Sequence, residues 1–335
     1  MSCLFQKMVT IIIPVLNEEK YIQDCLESVL SQDYPRNNIE CLCIDGGSDD
    51  RTIKIIESYR AQHQQLFYLL YNPQRTQANA MNVGIAHAHG DYIVRMDAHA
   101  VYPSNYIIRC VYYLDSFGYS NVGGAAITEG RGKYGKAIAK VLSSPFGVGN
   151  SRFRIGSASG DTDTVPFGAF RKEVFEKWGG FDTRLVRNED NEINYRIRKN
   201  GGIVFLANDI QFTYYCRDTI LGLAKMAFSN GMWNIITMKL CPGSMGVRHF
   251  IPLLFVLSIL TLIALSFFHM FFAILLLLEL LCYGVLDVYY SFSRSGNISA
   301  GVLQCLLFPV FHICYGIGSL RGIIRVLSGQ YLKEK

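Results

Sequence analysis

The 335 residues are enough for one large domain or two smaller ones, and half of them are hydrophobic, which is apolar for a soluble enzyme. The net charge of +5 includes no dense run of Lys and Arg, which argues against a nucleic-acid-binding protein. The ten cysteines fall into no paired metal-binding spacing, which favours a reduced, cytoplasmic soluble part.

The first 96 residues alternate short apolar runs with helix-like patterns. Strands are predicted at 9–13, 39–44, 66–71 and 91–96. The first predicted helix is capped by Asn17 and ended by Pro35, the second runs from Ile53 to Tyr59, and the third covers 77–88. This alternation predicts a parallel sheet with helices on both faces.

Three polar clusters directly follow predicted strands, at 14–19, 45–50 and 97–99. Ligands of such sheets bind outside the carboxyl ends of the strands, which meet at one edge. One acidic cluster after a strand is common in loops, but three at the same edge form a constellation. The sequence therefore predicts a single ligand site built from the three clusters.

The segment from 120 to 215 has a more mixed pattern. It predicts a strand at 165–170, helices at 171–178 and 189–199, and a strand at 203–206. We expect this half to lie over the same sheet edge and to supply the acceptor side of the site.

The last third of the chain is apolar. Residues 219–240 suit a helix lying in a membrane interface or a plain buried helix, and both interpretations stay open. Membrane spans are predicted at about 250–268, 271–290 and 299–320. We therefore expect a cytoplasmic catalytic domain over 1–215, an interfacial helix and linker over 216–248, and a membrane region with a basic tail over 249–335.

The expected location is the inner, cytoplasmic membrane, as a multi-pass protein with its catalytic domain in the cytoplasm. No signal peptide is expected at the start, because the apolar run at 9–13 is too short. Three full spans would nevertheless place a basic tail outside, against the positive-inside rule. Either the third segment is re-entrant or interfacial, broken at Pro309, or the charge rule fails. The tail residues concerned are Arg321, Arg325, Lys333 and Lys335.

Several motifs, in order and correctly spaced over roughly 8–215, resemble family 2 glycosyltransferases. The matching stretches are 10–19, 45–52, 82–86 with 90–91, 95–100, 165–171 and 187–198. The triplet Asp97-Ala98-His99 is similar to the variant found in transferases of succinoglycan-type exopolysaccharide synthesis. The resemblance implies a GT-A type α/β fold, with a Rossmann-like, mixed, mostly parallel sheet flanked by helices, followed here by membrane helices.

The resemblance also implies a divalent metal at Asp97, which would stabilise the diphosphate leaving group. His99 would be the second protein ligand, because residues two apart in an extended chain share a face. The family's commoner motif has Asp at this position, so the imidazole favours Mn²⁺ over Mg²⁺, both of which remain candidates.

The remaining site residues are assigned by resemblance to motif positions. Asp45 would bind the base or ribose, and Asp97 would also face the sugar diphosphate. Asp190 would be the catalytic base, kept ionised by a helix N-terminus, with Glu189 and Glu192 as alternatives. The base pocket would be lined by Pro14, Val15, Asn17 and Glu18. The positive charges of Arg75 and Arg217, and not the resemblance, suggest that these two residues also contact the nucleotide-sugar. A solvated loop position for Arg75 and a lipid phosphate as the partner of Arg217 stay open.

The predicted function is inverting transfer of a sugar from a nucleotide-sugar to a membrane lipid-linked saccharide in exopolysaccharide, capsule or glycan assembly. The resemblance to the family favours UDP as the nucleotide. The Gln-x-x-Arg-Trp signature of processive synthases is missing around Trp233, which favours one sugar per cycle. Two alternatives stay open: transfer to polyprenyl phosphate, and a non-catalytic membrane scaffold that retains the fold.

Overall fold

The computed structural model describes residues 7–293 and 295–331. Lys333 and Lys335, part of the predicted basic tail, lie outside the described residues. The described chain forms two compact units, one of residues 7–127 and 156–214 and one of 128–155 and 215–331. The sequence had suggested boundaries near 215 and 248, whereas the structure groups 128–155 with the C-terminal part.

A mixed sheet organises the first unit. Its strands are β1 (Val9–Val15), β2 (Ile39–Asp45), β3 (Phe67–Tyr71), β4 (Tyr92–Arg95), β5 (Ala100–Val101), β6 (Asn121–Glu129), β7 (Gly160–Asp161), β8 (Ala169–Arg171) and β9 (Val204–Tyr215). Their order is β3-β2-β1-β4-β8-β6-β9-β5, with β7 paired to β9. The strands β3, β2, β1 and β4 are parallel, while β8 runs antiparallel to β4. The predicted α/β class and the four predicted parallel strands are confirmed.

Helices connect and flank these strands, and others form the second unit. They are α1 (Ile22–Leu30), α2 (Thr52–Gln62), α3 (Gln77–His87), α4 (Tyr106–Phe117), α5 (Gly132–Leu142), α6 (Pro145–Val148), α7 (Arg152–Ile155), α8 (Glu173–Trp178), α9 (Glu189–Lys199), α10 (Ile220–Leu240), α11 (Ile251–Ser266), α12 (Met270–Ser293) and α13 (Ile298–Leu327). Two short 3₁₀ turns span Arg36–Asn38 and Val247–Phe250.

The register of the parallel strands brings the polar clusters together. Val15 lies opposite Asp45 in the β1–β2 pair, and Ile12 lies opposite Arg95 in the β1–β4 pair. Strand β1 is buried on both faces, as its continuous Val and Ile run predicts for a central parallel strand. The strand order reverses between β1 and β4, which is where open α/β sheets bind ligands.

The expected helix cap at Asn17 is wrong. Helix α1 begins at Ile22 with Tyr21 at its N-cap position, and no side chain caps it. Asn17 instead has a left-handed backbone, with φ of 56°, and its side-chain oxygen accepts from the backbone N–H of Asp49. A polar residue before an apolar helical pattern is typical of a helix cap. Here the Asn17 side chain instead connects the loop after β1 to the loop after β2.

In the second unit, α10 packs along α13 with very short backbone separations. A Cβ on Gly231 would collide with the carbonyl of Tyr315, and one on Gly318 would collide with the carbonyl of Phe228. Small residues of this kind let two helix backbones approach closely. The buried face of α10 therefore fits the plain packed-helix interpretation of 219–240.

Three helices of the second unit are long and apolar enough to cross a membrane: 247–266, 270–293 and 298–327. The first two are largely exposed within the unit, whereas half of the third is buried. Pro309 lies inside α13, which continues on both sides of it. The structure therefore does not show the break at Pro309 that was one of the two alternatives for the third segment. In the hairpin of the first two helices, Ser258 donates to Glu279 at 2.5 Å, which partners one carboxylate oxygen.

Candidate active site

A cavity of about 140 Å³ opens at the switch point between β1 and β4. All three polar clusters of the sequence contribute to its surroundings. Six of the predicted site residues line it: Pro14, Val15, Glu18, Arg75, Asp97 and His99. Asn17 and Asp45 are adjacent to lining residues in the chain but do not themselves line the cavity.

Asp97 follows β4 and is held from several sides. Its backbone N–H donates to the Tyr102 hydroxyl at 2.7 Å. Its carboxylate oxygen Oδ1 accepts from the side chains of Arg95 and Gln77, each at 3.2 Å, while Oδ2 has only a 3.5 Å contact with Gln77. The carboxylate is thus fixed in position, and its Oδ2 is more weakly hydrogen-bonded than its Oδ1.

Arg95 connects Asp97 to the acidic pair at the start of α9. Its Nε donates to Asp97 and its Nη1 donates to Glu189 at 3.1 Å, and all three side chains are buried. The guanidinium also lies 5.7 Å from the centre of the Phe167 ring. Sequence reasoning missed this role, although Arg95 sits two residues before Asp97, a spacing that puts both on one face of an extended chain.

Glu189 and Asp190 form an acidic pair at the start of α9. Burial raises the pKa of both carboxyls, and the positive charge of Arg95 opposes that rise. The backbone N–H of Asn191 donates to Asp190 at 2.8 Å and also lowers its pKa. The helix N-terminus had been expected to dominate, but burial is the larger influence and acts in the opposite direction. A raised pKa makes Asp190 a stronger base once it is ionised.

Glu192, an alternative base in the sequence, has a structural partner. Both of its oxygens accept from Arg196, four residues on, at 2.9 and 2.5 Å. Arg196 in turn donates to the carbonyls of Gly179 and Gly180. Glu192 thereby helps to fix the turn before α9, whereas Asp190 is not held by such a salt bridge.

His99 pairs with Glu18 across the cavity. The His99 Nδ1 lies 3.1 Å from Glu18 Oε1, and the imidazole meets the Tyr214 ring edge-on at 5.2 Å between centres. Within 7–293 and 295–331, no group of three or more His, Cys, Asp and Glu side chains is arranged to hold a metal ion. The donor set of Asp97 and His99 still fits a divalent cation that takes its other ligands from substrate phosphates and water, as Mg²⁺ and Mn²⁺ sites commonly do.

The loop residues form a frame beneath the cavity. Asp45 is fully buried, and its carboxylate accepts from the backbone N–H groups of Gly47 and Ser48 at 2.7 and about 3.1 Å. Arg75 donates to the Gly47 carbonyl at 3.3 Å. These contacts give Asp45 a role in shaping the turn, and its contact with a nucleoside remains a prediction. Arg217 belongs to the second unit, before α10, and its assignment also remains a prediction.

Left-handed backbone conformations cluster around this site. The non-glycine residues with positive φ in the described chain are Asn17, Arg75, Phe167 and Asn188. Arg75 lines the cavity, Phe167 lies against Arg95, and Asn188 directly precedes the acidic pair. Such conformations cost on the order of 1–3 kcal/mol each and persist where surrounding contacts over-determine them, commonly at functional sites.

Comparison with known proteins decides the family. The model of a family described as Glycosyl transferase family 2 matches residues 10–179, about half of the chain. This chain belongs to glycosyltransferase family 2. The match includes the cavity and the Asp97 motif, and it ends before the acidic pair of α9.

Two curated relatives extend the similarity beyond that match. The chain is 31% identical over 248 residues to the succinoglycan biosynthesis protein ExoA of Rhizobium meliloti, covering 72% of this chain and 74% of the relative. It is 32% identical over 230 residues to a dolichyl N-acetyl-alpha-D-glucosaminyl phosphate 3-beta-D-2,3-diacetamido-2,3-dideoxy-beta-D-glucuronosyltransferase of Methanococcus voltae, covering 67% and 71%. The family 2 assignment and the similarity to succinoglycan-type transferases are thus confirmed, and the protein is a glycosyltransferase.

Solved structures confirm the GT-A fold. The mannosyltransferase PcManGT from Pyrobaculum calidifontis, in complex with GDP-Man and Mn²⁺, superposes with a TM-score of 0.61 at 18% identity. That match covers 97% of this chain and 88% of the other. The expected GT-A sheet followed by apolar helices is therefore the observed architecture.

Proposed function

We propose that this family 2 enzyme transfers one sugar per cycle, with inversion, from a nucleotide-sugar to a lipid-linked saccharide at a membrane. The observation that carries the proposal is the bridge that Arg95 makes between Asp97 and Glu189. It joins the side chain expected at the leaving diphosphate to the pair expected to contain the base. The donor and the acceptor would then bind on the two sides of the buried network that Asp97, Arg95 and Glu189 form.

The donor would occupy the 140 Å³ cavity at the switch point. Arg75 offers a fixed cation there, and the Asp45 turn shapes the floor. We propose a UDP-sugar, on the resemblance of the motifs; related folds have been solved with GDP-Man and with UDP, each together with Mn²⁺.

Asp97 and His99 would hold the divalent cation, which supplies charge neutralisation for the departing diphosphate. Glu18 would keep the His99 ring oriented through its contact with Nδ1, as carboxylates do for metal-bound imidazoles. Arg95 keeps the Asp97 carboxylate in place from the opposite side.

Asp190 would accept the proton of the acceptor hydroxyl as the oxygen attacks the anomeric carbon. The raised pKa of this carboxyl, caused by burial, brings it nearer to neutral pH, where a general base works best. Glu189 would stay locked to Arg95 and position the base rather than take the proton.

Membrane attachment would come from the second unit, whose apolar helices are exposed in the described chain. We propose that these helices anchor the enzyme in the inner membrane, with the catalytic unit in the cytoplasm. The relatives support a membrane setting, because one is named for succinoglycan synthesis and another acts on a dolichyl-linked sugar phosphate.

The test is an Asp190→Asn substitution in the full-length protein. We expect transfer to fall by at least 10²-fold, while the binding of the nucleotide-sugar with Mn²⁺ is retained. Glu173→Gln is the matched control, because Glu173 also opens a helix but is exposed. Transfer that survives in the Asp190 variant would rule out this residue as the base.

A further inference from the structure

The second unit contains a larger cavity, of about 420 Å³, that the transfer chemistry does not use. Residues from α6, α10, α11, α12 and α13 line it, so it lies among the helices that are apolar enough to cross a membrane. Its volume falls within the range of about 300–1,000 Å³ that is typical of small-molecule sites.

One wall of this cavity is aromatic and held rigidly. The rings of Phe255 and Tyr283 stack with centres 4.7 Å apart, and Phe146 meets His312 edge-on at 5.0 Å. His312 is buried between two partners, the Phe146 carbonyl at 3.0 Å from Nε2 and the Tyr283 hydroxyl at 2.9 Å from Nδ1. Assigned from these partners, the proton is on Nε2 and Nδ1 accepts. The wall is thus preformed for an apolar ligand.

The other part of the lining is cationic. Arg154 and Arg248 both line the cavity, and no Asp or Glu is among its described lining residues. Arg248 is fixed in place, since its Nη1 donates to Asn150 at 3.3 Å and its Cβ lies close to the left-handed Gly149. A fixed guanidinium suits a phosphate group, which it can bind through two parallel hydrogen bonds.

The two parts follow each other along the first apolar helix. Arg248 lies in the 3₁₀ turn directly before α11, and Phe255 lies four residues into that helix, about 6 Å along its axis. Basic residues at the end of a span lie at the head-group level of a bilayer, with the apolar residues deeper. The cavity therefore combines a phosphate-binding end with an apolar end in the orientation of a membrane lipid.

We propose that this cavity binds the phosphate end of the lipid acceptor, a phosphate or diphosphate ester of a long apolar chain. Arg154 and Arg248 contact the phosphate, and the first part of the chain lies along Phe146, Phe255 and Tyr283. The inference rests on the proposed function in taking this lipid to be the acceptor. An ordinary phospholipid shares the phosphate chemistry, so the experiment must separate the two sources.

The test measures binding to the full-length protein in detergent, with farnesyl diphosphate as the probe. We expect saturable binding of farnesyl diphosphate, at least tenfold weaker binding of farnesol and of inorganic diphosphate, and no competition by phosphatidylglycerol. Arg248→Gln should weaken binding of the probe at least tenfold, and Met226→Trp, which fills the cavity, should abolish it. Arg321→Gln, an exposed arginine on α13 outside the cavity, is the matched control and should bind normally.

The melting temperature and the binding of the nucleotide-sugar show whether each variant is folded. If Arg248→Gln unfolds the protein, Arg154→Gln replaces it. Equal competition by phosphatidylglycerol, or unchanged binding in folded Arg and Trp variants, would overturn the inference. Hydrolysis of a nucleotide-sugar without acceptor tests the proposed function separately. Donor hydrolysis without lipid binding removes only this inference, whereas lipid binding without turnover of any donor removes the proposed function.

Discussion

Arg95 donates to Glu189 at 3.1 Å across 94 positions of sequence, and both side chains are buried. The same guanidinium holds Asp97, so one cation fixes two carboxylates that come from opposite halves of the first unit's sequence. Burying three charges is tolerable only when each is paired, which makes this cluster sensitive to the loss of any member.

Arg95→Met should therefore destabilise the protein and slow transfer. Removing one partner of a buried pair costs about 3–5 kcal/mol, because it leaves an uncompensated charge. The melting temperature in detergent and the transfer rate measure the two effects. Arg60→Met, which removes an exposed pair with Glu57, is the control and should change stability by less than about 1 kcal/mol. Similar melting temperatures for the two variants would contradict a structural role for Arg95.

The fall of the transfer rate on acidification, which is the acid limb of the pH profile, should occur at a raised pH. Asp190 must be ionised to accept a proton, and burial raises its pKa, so kcat/KM should fall on acidification at a higher pH than an ordinary aspartate would give. Arg95 lowers the pKa values of Asp190 and Glu189, so Arg95→Gln should move the limb to still higher pH, whereas Arg95→Lys should move it less. A limb at the same pH in all three proteins would exclude this pair as its source.

Ionisation of Asp190 and Glu189, which favours transfer, should lower the stability of the folded protein. A carboxyl whose pKa is raised by folding stabilises the folded state while it is protonated, and that contribution is lost as the pH rises through the raised value. We therefore expect Asp190→Asn to gain stability relative to the parent protein as the pH rises above the usual aspartate range. Melting temperatures across a pH series would show it, and parallel curves would contradict it.

The metal preference should depend on His99. His99→Asp restores the family's commoner oxygen ligand, so we expect transfer to be retained with the preference shifted from Mn²⁺ toward Mg²⁺. His99→Ala should weaken metal-dependent binding of the nucleotide-sugar, measured directly by calorimetry with each cation. Glu18→Gln should have a smaller effect on the metal preference in the same direction, because Glu18 contacts the imidazole and is not itself a predicted metal ligand. Metal-independent donor binding in the parent protein would refute the assignment.

Packing of α10 on α13 gives a test with an internal control. Gly318→Ala places a Cβ against the Phe228 carbonyl, and overpacking of this kind typically costs about 1–3 kcal/mol. Gly284 also lies inside an apolar helix, but nothing approaches the position of its Cβ, so Gly284→Ala should be neutral or slightly stabilising. Melting temperatures of the two variants should move apart, and equal shifts would contradict the close approach of the helices.

The sequence was sufficient to predict which polar residues meet at the edge of the sheet. It was not sufficient to predict the contacts that these residues make with distant parts of the chain. Alternating apolar runs predicted β1, β2, β3 and β4, and strand direction alone then placed their polar ends together. The Arg95–Glu189 contact was not predictable, because no local pattern indicates which helix packs behind a strand end 94 residues away. Asn17 was misassigned because local propensity suggests a helix cap, while its true partner, Asp49, is brought near only by the register of β1 and β2.

The sequence also did not predict that residues 128–155 group with the apolar helices of the second unit. Helix α5 has an ordinary amphipathic pattern with Lys133, Lys136 and Lys140. This pattern predicts that one face of the helix is buried, but it does not indicate against which other helices that face packs. In the folded chain this helix packs against α10 and α13. The partner against which a helix packs is determined only in the folded chain. For this reason the sequence placed 128–155 in the first unit, whereas the structure places it in the second.

The left-handed backbone at Arg75 places the stability of the fold and the lining of the cavity in opposition. Glycine would adopt that conformation without strain, so Arg75→Gly should relieve about 1 kcal/mol of native-state strain while removing a cation from the cavity. Selection for thermal tolerance would therefore favour a change that weakens the cavity proposed for the donor.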